Sequence, residues 1–476
     1  MKLLKIAAKA IAVLISVIVI FIVAVFLLDN RSTHYLKISN IPEAERNSYL
    51  IKNVNIVPMS SDTVLVDKMV LIEDGAITEI SNDISVEQHT IIDGKDQYLM
   101  PGLIDMHVHV WDEYELGLYL ASGVTTVRNL WGQPMHLRMK ELIESGEILS
   151  PNFFTSGPKL TGSEFIGDDN FQIFSEEEAR QIVIDTKEKG YDFIKTYYGL
   201  PQEYFDVVID QAKISGLDIA AHPSYKVAYD YHFNPQIRSV EHAEDIVQQP
   251  LEYKLDSAKL GKVVEDFSKA EGTSFCPTLT VYHNIYKMII NDSILNSSDL
   301  NYMNPLIRMV DSEAQFSRWN SAKRNDSTIE ISIRNQHEFH LLAISKLHEA
   351  GVNIVCGTDA GIGVTIPGKS IHQELAFYKQ AGLRNYEVLK TATINPSKTH
   401  KFLNDFGTIE NGKVANLLLV DDNPFDNLAT LEQPQIVFSG GRMINRTTLD
   451  TFEVKAAERS NLLASAFRYV EFLLFK

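Results

Sequence analysis

Six side chains able to bind a metal ion occur at widely separated points of the sequence, each near the end of an apolar stretch. They are His107, His109, Lys195, His222, His242 and Asp359. Imidazole and carboxylate are common protein ligands of Zn²⁺ and related divalent ions, and a bound ion can activate water for hydrolysis. A lone histidine is more often a structural residue than a ligand, so the hypothesis requires that all six meet at one place.

The apolar stretches that carry these side chains alternate with longer helical ones between Tyr98 and Asn404. Eight of them are predicted as strands: GLIDMHVHV, GVTTVRNL, NFFTSG, YDFIKTYYG, LDIAAHPS, SVEHAE, SFCPTLTVY and VNIVCGTDA. Eight such units over about 300 residues predict a (β/α)₈ barrel, whose active site lies at the carboxyl ends of the strands. Residues 284–345, before the eighth strand, are too long for a simple connection and are predicted to form helices and part of a lid.

Short β-branched stretches separated by turn residues precede and follow this region. Residues 48–97 and 405–450 share this pattern, and we predict that they pair into one small β-sandwich beside the barrel. Residues 98–404 are then the barrel domain, residues 31–47 a linker and residues 451–476 a helical tail. The expected fold class is therefore α/β, a TIM-like barrel with a flanking β-sandwich and an N-terminal transmembrane helix.

Residues 1–30 contain an uninterrupted apolar run, residues 11–28, preceded by Lys2, Lys5 and Lys9. A run of this length is sufficient to cross the hydrocarbon core of a bilayer. A cleaved signal peptide has a shorter apolar run that ends in small residues, whereas bulky residues end this one. We therefore predict an uncleaved membrane anchor, with the lysines in the cytoplasm and the catalytic domain periplasmic or extracellular. A long signal peptide that is removed is the alternative.

The bulk composition is that of a globular protein, with 45% hydrophobic and 22% charged residues. Acidic residues outnumber basic ones by 62 to 44, giving a formal net charge of -18, so we expect no nucleic-acid partner. The two cysteines, Cys276 and Cys356, lie in apolar stretches and define no disulfide framework. The sequence does not indicate an oligomeric state.

These motifs resemble those of the amidohydrolase superfamily, which comprises metal-dependent hydrolases built on a barrel with a flanking β-sandwich. The resemblance extends from about Ser48 to about Leu428 and rests on the segments PGLIDMHVHV, GVTTVRN, FIKTYY, AAHPS, SVEHAE, GTDAG, TINPSK and GTIENGKVANLLLVD, in that order. The lysine segment and the last two segments are most similar to the branch of prolidase-like and other Xaa-amino-acid dipeptidases. That branch is therefore the expected one.

The resemblance implies a centre that holds two divalent ions. By this resemblance, one ion is held by His107, His109 and Asp359, the other by His222 and His242, and both are bridged by Lys195 as a carboxylated lysine. An unmodified ammonium would be repelled by two cations, whereas a carbamate anion would be attracted to them. Zinc is the expected metal because the ligands are imidazoles and carboxylates, with manganese or another transition metal as alternatives.

The implied activity is the hydrolysis of C–N bonds in small amides such as dipeptides or N-acyl amino acids. A metal-activated hydroxide would attack the carbonyl carbon, and Asp359 would transfer the proton to the leaving nitrogen. A cyclic-amide hydrolase and a deaminase are the alternatives on the same scaffold. Related deaminases typically carry a glutamate three residues after the fifth-strand histidine, where this chain has Tyr225. Tyr225, Tyr282 and His283 follow strand ends, but the sequence assigns none of them a substrate-binding role.

Two remote alternatives remain from other functional classes. One is a membrane-tethered binding protein that kept the barrel and lost activity. The other is a P-loop NTPase, because residues 363–370, GVTIPGKS, fit the phosphate-binding pattern. A P-loop opens directly after a strand, whereas three residues separate this segment from Asp359. Ser370 and Gln373 instead predict a capping box for the helix that follows.

Overall fold

The computed structural model describes residues 2–86, 89–164 and 169–475 of the chain. Met1, residues 87–88, residues 165–168 and Lys476 lie outside the described residues.

The strands and helices of these residues are numbered in chain order. The strands are β1 (Tyr49–Ile56), β2 (Leu65–Glu73), β3 (Ala76–Ser81), β4 (Thr90–Asp93), β5 (Tyr98–Pro101), β6 (Leu103–Val108), β7 (Val124–Asn129), β8 (Asn152–Gly162), β9 (Phe171–Ile173), β10 (Phe193–Thr196), β11 (Asp218–Ala221), β12 (Ile237–Glu241), β13 (Ser274–Cys276), β14 (Leu417–Val420), β15 (Ile436–Ser439) and β16 (Arg442–Asn445). The α-helices are α1 (Lys2–Ser32), α2 (Tyr114–Ala121), α3 (Pro134–Glu144), α4 (Glu176–Lys189), α5 (Gln202–Ser215), α6 (Ala243–Gln248), α7 (Ser257–Ser268), α8 (Leu279–Ile290), α9 (Pro305–Ile307), α10 (Glu313–Asn325), α11 (Ile329–Glu349), α12 (Ser370–Gln380), α13 (Asn385–Thr391), α14 (Arg446–Ala457) and α15 (Leu462–Phe475). A π-helical turn, Arg308–Ser312, joins α9 to α10.

The barrel consists of parallel strands in the order β13-β12-β11-β10-β8-β7-β6, with β9 paired to β8. These strands carry β-branched and other apolar residues and are almost entirely buried, as expected for parallel strands covered by helices. The predicted TIM-like barrel is confirmed. Its carboxyl end carries the six candidate ligands: five lie in the last residues of a strand or directly after one, and Asp359 lies on the irregular segment that closes the barrel.

The eighth strand differs from the prediction. Residues 352–360 form only isolated bridges, one to Phe275 and one to Val108. Asp359 has a φ of 58°, which interrupts the extended backbone that a regular strand requires. The segment still closes the barrel, since the amide of Asp359 donates to the His107 carbonyl at 2.8 Å.

Two other strands, β8 and β13, depart most from their predicted ends. The third barrel strand, β8, extends five residues beyond the predicted NFFTSG and reaches Gly162. The seventh, β13, stops at Cys276, and the predicted strand residues that follow become the start of α8. Pro277 cannot donate a ladder hydrogen bond, and Thr278 has a left-handed φ of 50°, so the strand stops here.

The flanking β unit is built from the segments before and after the barrel, β1–β5 and β14–β16. Eight strands form one hydrogen-bonded sheet in the order β16-β15-β14-β5-β1-β2-β3, with β4 paired to β1. Strand β14 runs antiparallel to β5, and Leu417 lies opposite Pro101. One face packs a core that includes Tyr49, Leu99 and Phe438. The predicted second β unit built from segments on both sides of the barrel is therefore confirmed.

The predicted capping box of α12 is wrong. Ser370 is the first residue of the helix, Lys369 precedes it as N-cap, and no side chain caps the amides. The side chain of Gln373 instead accepts a hydrogen bond from Nζ of Lys287 at 3.0 Å. A long-range partner on α8 thus outcompetes the local one.

The N-terminal helix projects an apolar surface and then joins the barrel. The most apolar 18-residue window of this helix has a mean hydropathy of 3.5 and is not buried. Short 3-10 turns follow (His34–Leu36, Ile38–Asn40 and Pro42–Ala44). Leu36 and Ile41 in these turns are buried in the main core. The start of the folded domain is therefore fixed directly to the end of α1.

Candidate metal centre

β6 and the residue after it bring two imidazoles to the carboxylate of Asp359. Nε2 of His107 lies 3.3 Å and Nε2 of His109 lies 2.8 Å from the same oxygen, Oδ1 of Asp359. Residues two apart on an extended chain point to the same side, which accounts for the shared target of the two histidines. All three side chains are buried.

The backbone around Asp359 is shaped by two glycines. A Cβ atom on Gly357 would lie 2.7 Å from Cβ of His107, and one on Gly361 would lie 2.0 Å from the His109 carbonyl oxygen. Only glycine permits these approaches. Asp359 and His242 have φ values of 58° and 68°, a left-handed conformation that is unfavourable for both residue types. Such strain is concentrated at functional sites, where the surrounding structure maintains it.

A hydrogen-bonded chain from Arg128 through Glu241 fixes the orientation of the His107 ring. Oε2 of Glu241 lies 2.8 Å from Nδ1 of His107, and Oε1 lies 2.8 Å from Nη2 of Arg128. Burial alone would raise the pKa of Glu241, but the Arg128 guanidinium and the hydrogen bond with His107 hold it well below its usual range. Glu241 is therefore an anion, so Nδ1 of His107 must be the donor.

This tautomer leaves the lone pair of His107 Nε2 facing a carboxylate oxygen 3.3 Å away. Burial lowers the pKa of His107 to about 4, so the ring does not take up a second proton at neutral pH. Two acceptors that face each other in a buried site repel unless a cation lies between them. The arrangement of His107 and Asp359 thus fits a bound cation.

A second group of candidate ligands consists of His222 and His242, which directly follow the neighbouring strands β11 and β12. The ring centroids of His222 and His242 are 4.5 Å apart, and those of His242 and His107 are 4.8 Å apart. Nδ1 of His242 contacts Oγ1 of Thr278 at 2.8 Å, and Nε2 of His222 lies 3.4 Å from Oδ2 of Asp245. Nδ1 of His242 is therefore engaged with a neighbouring side chain, as is usual for a histidine that binds a metal, whereas the approach of His222 to Asp245 is not a hydrogen bond.

Lys195 and His222 each carry a buried polar atom without a hydrogen-bond partner among the described residues. These atoms are Nζ of Lys195 and Nδ1 of His222. Burial lowers the pKa of Lys195 to about 8 and that of His222 well below its usual value. Unsatisfied buried polar atoms are rare in native proteins and point to an unfilled partner. Both orphaned atoms therefore fit a site completed by a ligand.

The donor set suits divalent ions. Ligand atoms of His107, His242 and Asp359 all lie within 4.8 Å of one another. A second buried set, in which Glu241 and Cys276 accompany His107, meets the same distance. The first set suits a cation better than the second, because Glu241 is already neutralised by Arg128 and the pKa of the Cys276 thiol is raised well above its usual value by burial.

All six candidate ligands line one cavity of about 700 Å³ at the carboxyl end of the barrel. Trp111 and Trp131 form part of its apolar wall, and Lys159 and Asp169 face it from the third strand region. The Lys159 ammonium lies 2.8 Å from the Asp169 carboxylate. The cavity thus combines aromatic surface with charges of both signs.

The long segment before the eighth strand covers this cavity. Helices α8, α10 and α11 and the π-helical turn contribute cavity-lining residues: Val281, Tyr282, Ile285, Asp311, Gln315, Arg318, Trp319, Ile333 and Gln336. The predicted helical character of residues 284–345 is confirmed. Residues of this segment therefore line the same cavity as the candidate ligands, as the prediction of a lid requires.

The P-loop-like segment connects this lid to the barrel. The Gly363 amide donates to Oδ2 of Asp311 at 2.6 Å, and the Ser312 hydroxyl donates to the Gly363 carbonyl. Nζ of Lys369 lies 3.1 Å from Oε2 of Glu453, away from the glycines. The lysine and an amide that a phosphate would require are thus engaged elsewhere, so the segment does not fit a nucleotide site.

The other side chains that follow predicted strand ends lie in different places; they are Tyr225, Tyr282 and His283. Tyr282 lines the cavity from α8. His283, next to it, faces away and lies 4.7 Å, centroid to centroid, from His337. Tyr225 is 39% exposed and is not among the residues that line the cavity. A proton-transferring group at position 225 would therefore lie outside the site.

Several side chains of the candidate site were not predicted from the sequence. Glu241 precedes His242, but its contact with His107 depends on two strands that are not neighbours. Lys159 lies on the part of β8 beyond the predicted strand end. Trp111 and Trp131 follow strand ends, which is the one signal that would have identified them, since loops at this end of a barrel build the active site.

The sequence between residues 98 and 449, which includes the whole barrel, shows the family of the chain. The sequence model of the amidohydrolase family matches residues 98–449. The chain belongs to the amidohydrolase family. The predicted superfamily is thereby confirmed, as is the prediction of an enzyme at the level of this family.

The chain is similar to known relatives in two ways: at low sequence identity over most of its length, or at higher identity over a short segment. The chain is 22% identical over 396 residues to the 5-methylthioadenosine/S-adenosylhomocysteine deaminase of Pyrococcus furiosus, covering 78% of this chain and 86% of that protein. It is 46% identical over 63 residues to the dihydroorotase of Pediococcus pentosaceus, covering 13% of this chain and 14% of that protein. The chain thus matches well under two thirds of the length of this dihydroorotase.

Solved amidohydrolase structures share the fold. The bottromycin amidohydrolase superposes with a TM-score of 0.73 at 22% identity, covering 90% of this chain and 94% of that one. A Xaa-Pro dipeptidase with bound methionine gives 0.64 at 20% identity, with 84% and 100% covered. A putative prolidase from Bifidobacterium longum gives 0.66 at 21% identity, with 86% and 99% covered. These likenesses show the fold.

Proposed function

We propose that the chain is a metal-dependent hydrolase that cleaves the C–N bond of small amides such as dipeptides or N-acyl amino acids. The observation that carries the proposal is the meeting of all six candidate ligands around one 700 Å³ cavity. Family membership supports the reaction class. The facing acceptors on His107 and Asp359 support a bound cation.

In this proposal His107, His109 and Asp359 hold one ion, and His222 and His242 hold the other. Divalent ions, when bound, supply a Lewis acid for the substrate carbonyl and lower the pKa of a water molecule. Zinc suits imidazole and carboxylate ligands, with manganese or another transition metal as the alternative. The engaged second nitrogens of His107 and His242 hold these two rings in place for this role.

Lys195 lines the same cavity as the two groups, and we propose that it acts as a carbamate. With a pKa of about 8, a fraction of the amine is neutral at physiological pH. The neutral nitrogen bonds to the carbon of CO₂ and releases one proton to solvent, which leaves an anion in place of a cation. The absence of a hydrogen-bond partner for Nζ among the described residues supports this modification.

Asp359 is placed to transfer the proton. Its carboxylate reaches the cavity and lies within 4.0 Å of nitrogen atoms of His107, His109 and His242. We propose that it takes the proton of the attacking water and gives it to the leaving nitrogen, which departs as an amine. The strained backbone of Asp359 supports a functional role.

The charges of the cavity favour a zwitterionic substrate. Arg318 offers a cation and Asp311 a carboxylate at its wall, and Lys159 and Asp169 add an ion pair. A dipeptide carries one terminal charge of each sign. The aromatic part of the wall would receive its side chains.

The N-terminal helix supports an anchored protein. We propose that α1 spans the membrane and stays attached, with the catalytic domain on the extracytoplasmic side. Asp29 at the end of the apolar run is buried and lies 2.6 Å from Nη2 of Arg468 in α15. Removal of α1 as a signal peptide would break this contact. Mass spectrometry of the N-terminus and protease protection in spheroplasts or vesicles would test both parts of this proposal.

The test of the activity uses the full chain purified in detergent. Metal content is measured first, and a library of dipeptides and N-acyl amino acids is then screened for amine release. Asp359→Asn should lower kcat by about 10³-fold, as expected for the loss of a proton-transferring group. Asp192→Asn, which changes a largely buried carboxylate paired with Lys140, is the control and should retain activity. Near-normal turnover by Asp359→Asn would refute the proton-transfer role.

A deaminase is the second candidate, because the P. furiosus deaminase matches most of the chain. Tyr225 outside the cavity lining argues against it. Ammonia release from 5-methylthioadenosine or S-adenosylhomocysteine, without amine release from the amide library, would favour deamination over our proposal.

A further inference from the structure

Helix α15 exposes an apolar stripe to solvent. Leu463, Val470 and Leu474 are 50%, 50% and 70% exposed and are spaced seven and four residues apart, so they share one face of the helix. Leu473 and Phe475 extend this surface at the end of the helix. Leaving five large apolar side chains exposed on one short helix is costly unless something apolar covers them.

The same face of α15 contacts the apolar N-terminal helix. Phe467, between Leu463 and Val470 in the stripe, has its ring centroid 6.3 Å from those of both Phe21 and Phe26 in α1. The stripe is therefore continuous with the lipid-facing surface of the proposed anchor.

The position of this contact sets the depth of α15. Phe467 meets α1 midway between Phe21 and Phe26, which is about 7 Å before the end of the apolar run at 1.5 Å per residue. Amphipathic helices that lie in the membrane interface bury their apolar face to a depth of about 5–10 Å. The two depths agree.

We propose that α15 is a second membrane element, which lies in the interface with its stripe in the hydrocarbon of the bilayer. The inference goes beyond the proposed hydrolase and rests on the proposed anchor, α1. An apolar cavity of about 320 Å³ supports lipid as the occupant, because its lining combines Phe472 and Phe475 of α15 with Leu137, Ile182 and Tyr191 of the barrel helices and loops. A hydrocarbon chain fits such a lining better than water does.

The opposite face of α15 packs against the wall of the metal cavity. Tyr469 lies 6.2 Å from Trp111 and Phe472 lies 5.5 Å from Trp131, measured between ring centroids. Both tryptophans line the cavity of the candidate metal centre. The bilayer thus lies one helix away from the aromatic part of the catalytic wall.

Depth measurement by spin labels tests the proposal on the full chain in phosphatidylcholine vesicles. Cys276 and Cys356 are fully buried, so a cysteine introduced at the surface is labelled selectively. The labelled variants are Val470→Cys and Leu474→Cys on α15, Val17→Cys on α1 and Ile214→Cys, which is 73% exposed on α5. Collision rates with oxygen, which concentrates in hydrocarbon, are compared with those of a water-soluble nickel chelate.

We expect the oxygen-to-nickel ratio at both α15 positions to exceed that at Ile214→Cys several-fold and to approach that at Val17→Cys. An aqueous ratio at α15 together with a hydrocarbon ratio at Val17→Cys would overturn the inference and leave the anchor intact. Aqueous ratios at all positions would overturn both. Protection of Leu474→Cys from both reagents with spin–spin broadening would show that a second copy covers the stripe, which also contradicts the proposal.

Discussion

Replacement of Glu241 by glutamine should separate the structural role of this residue from its role in metal binding. Glu241 is fully buried, accepts from Nδ1 of His107 and neutralises Arg128, with both contacts at 2.8 Å. Glutamine keeps the shape but removes the charge. The Arg128 guanidinium then lies buried without a counter-ion, which costs about 3–5 kcal/mol of unfolding free energy.

The same change weakens the hold on His107. An amide oxygen accepts a weaker hydrogen bond than a carboxylate, and loss of such an outer partner typically lowers metal affinity by about 10–100-fold. Urea denaturation of the metal-free protein measures the first effect, and titration with zinc against a competing chelator measures the second. Asp192→Asn, at a largely buried ion pair away from the centre, should lower stability without changing zinc affinity.

The double variant Arg128→Met with Glu241→Gln decides between the two roles. Removing both charges should restore at least about 2 kcal/mol of the lost unfolding free energy, because no unpaired ion remains buried. Zinc affinity should stay low, since the carboxylate partner of His107 is still missing. Recovery of wild-type zinc affinity in the double variant would refute the orienting role of Glu241.

Three further predictions test other parts of the structure. Burial lowers the pKa of His232 to about 4, so between pH 6.5 and 4 the native state binds fewer protons than the unfolded state, and the protein loses stability as the pH is lowered through this range; urea denaturation should show His232→Gln losing up to about 3 kcal/mol of this dependence. Gly361→Ala, whose Cβ would lie 2.0 Å from a carbonyl oxygen, should abolish zinc binding, whereas Gly412→Ala, with a similar φ of 89° but open space, should only lower thermal stability by about 1 kcal/mol. Arg318→Met should raise KM for dipeptides about tenfold with little change in kcat, and Arg334→Met, outside the cavity, should change neither, as steady-state kinetics would show.

The features that the sequence predicted correctly are those with a strong local pattern. Buried parallel strands read as short apolar runs, and the strand ends that carry His222 and His242 follow directly from them. The apolar run of residues 11–28 predicts a long apolar helix from composition alone. Barrel topology then requires residues far apart in the sequence to meet at one end.

The features that it did not predict depend on tertiary contacts. Gln373 looks like a capping residue, but Lys287 on another helix supplies its partner. Asp359 looks like the end of a regular strand, but close packing against His107 forces its backbone into a left-handed conformation. Glu241 acquires its role only through His107, which lies on a strand that is not its neighbour. No local sequence pattern encodes such pairs.

Metal stoichiometry is the most direct test of the central claim that six distant residues form a centre for two ions. The full chain, purified in detergent and loaded with zinc, is desalted and analysed by inductively coupled plasma mass spectrometry. We expect two zinc ions per chain, and fewer than one in a His107→Ala, His222→Ala double variant that remains folded by circular dichroism. Two ions retained by this variant, or none bound by the unaltered chain with zinc or manganese, would contradict the account.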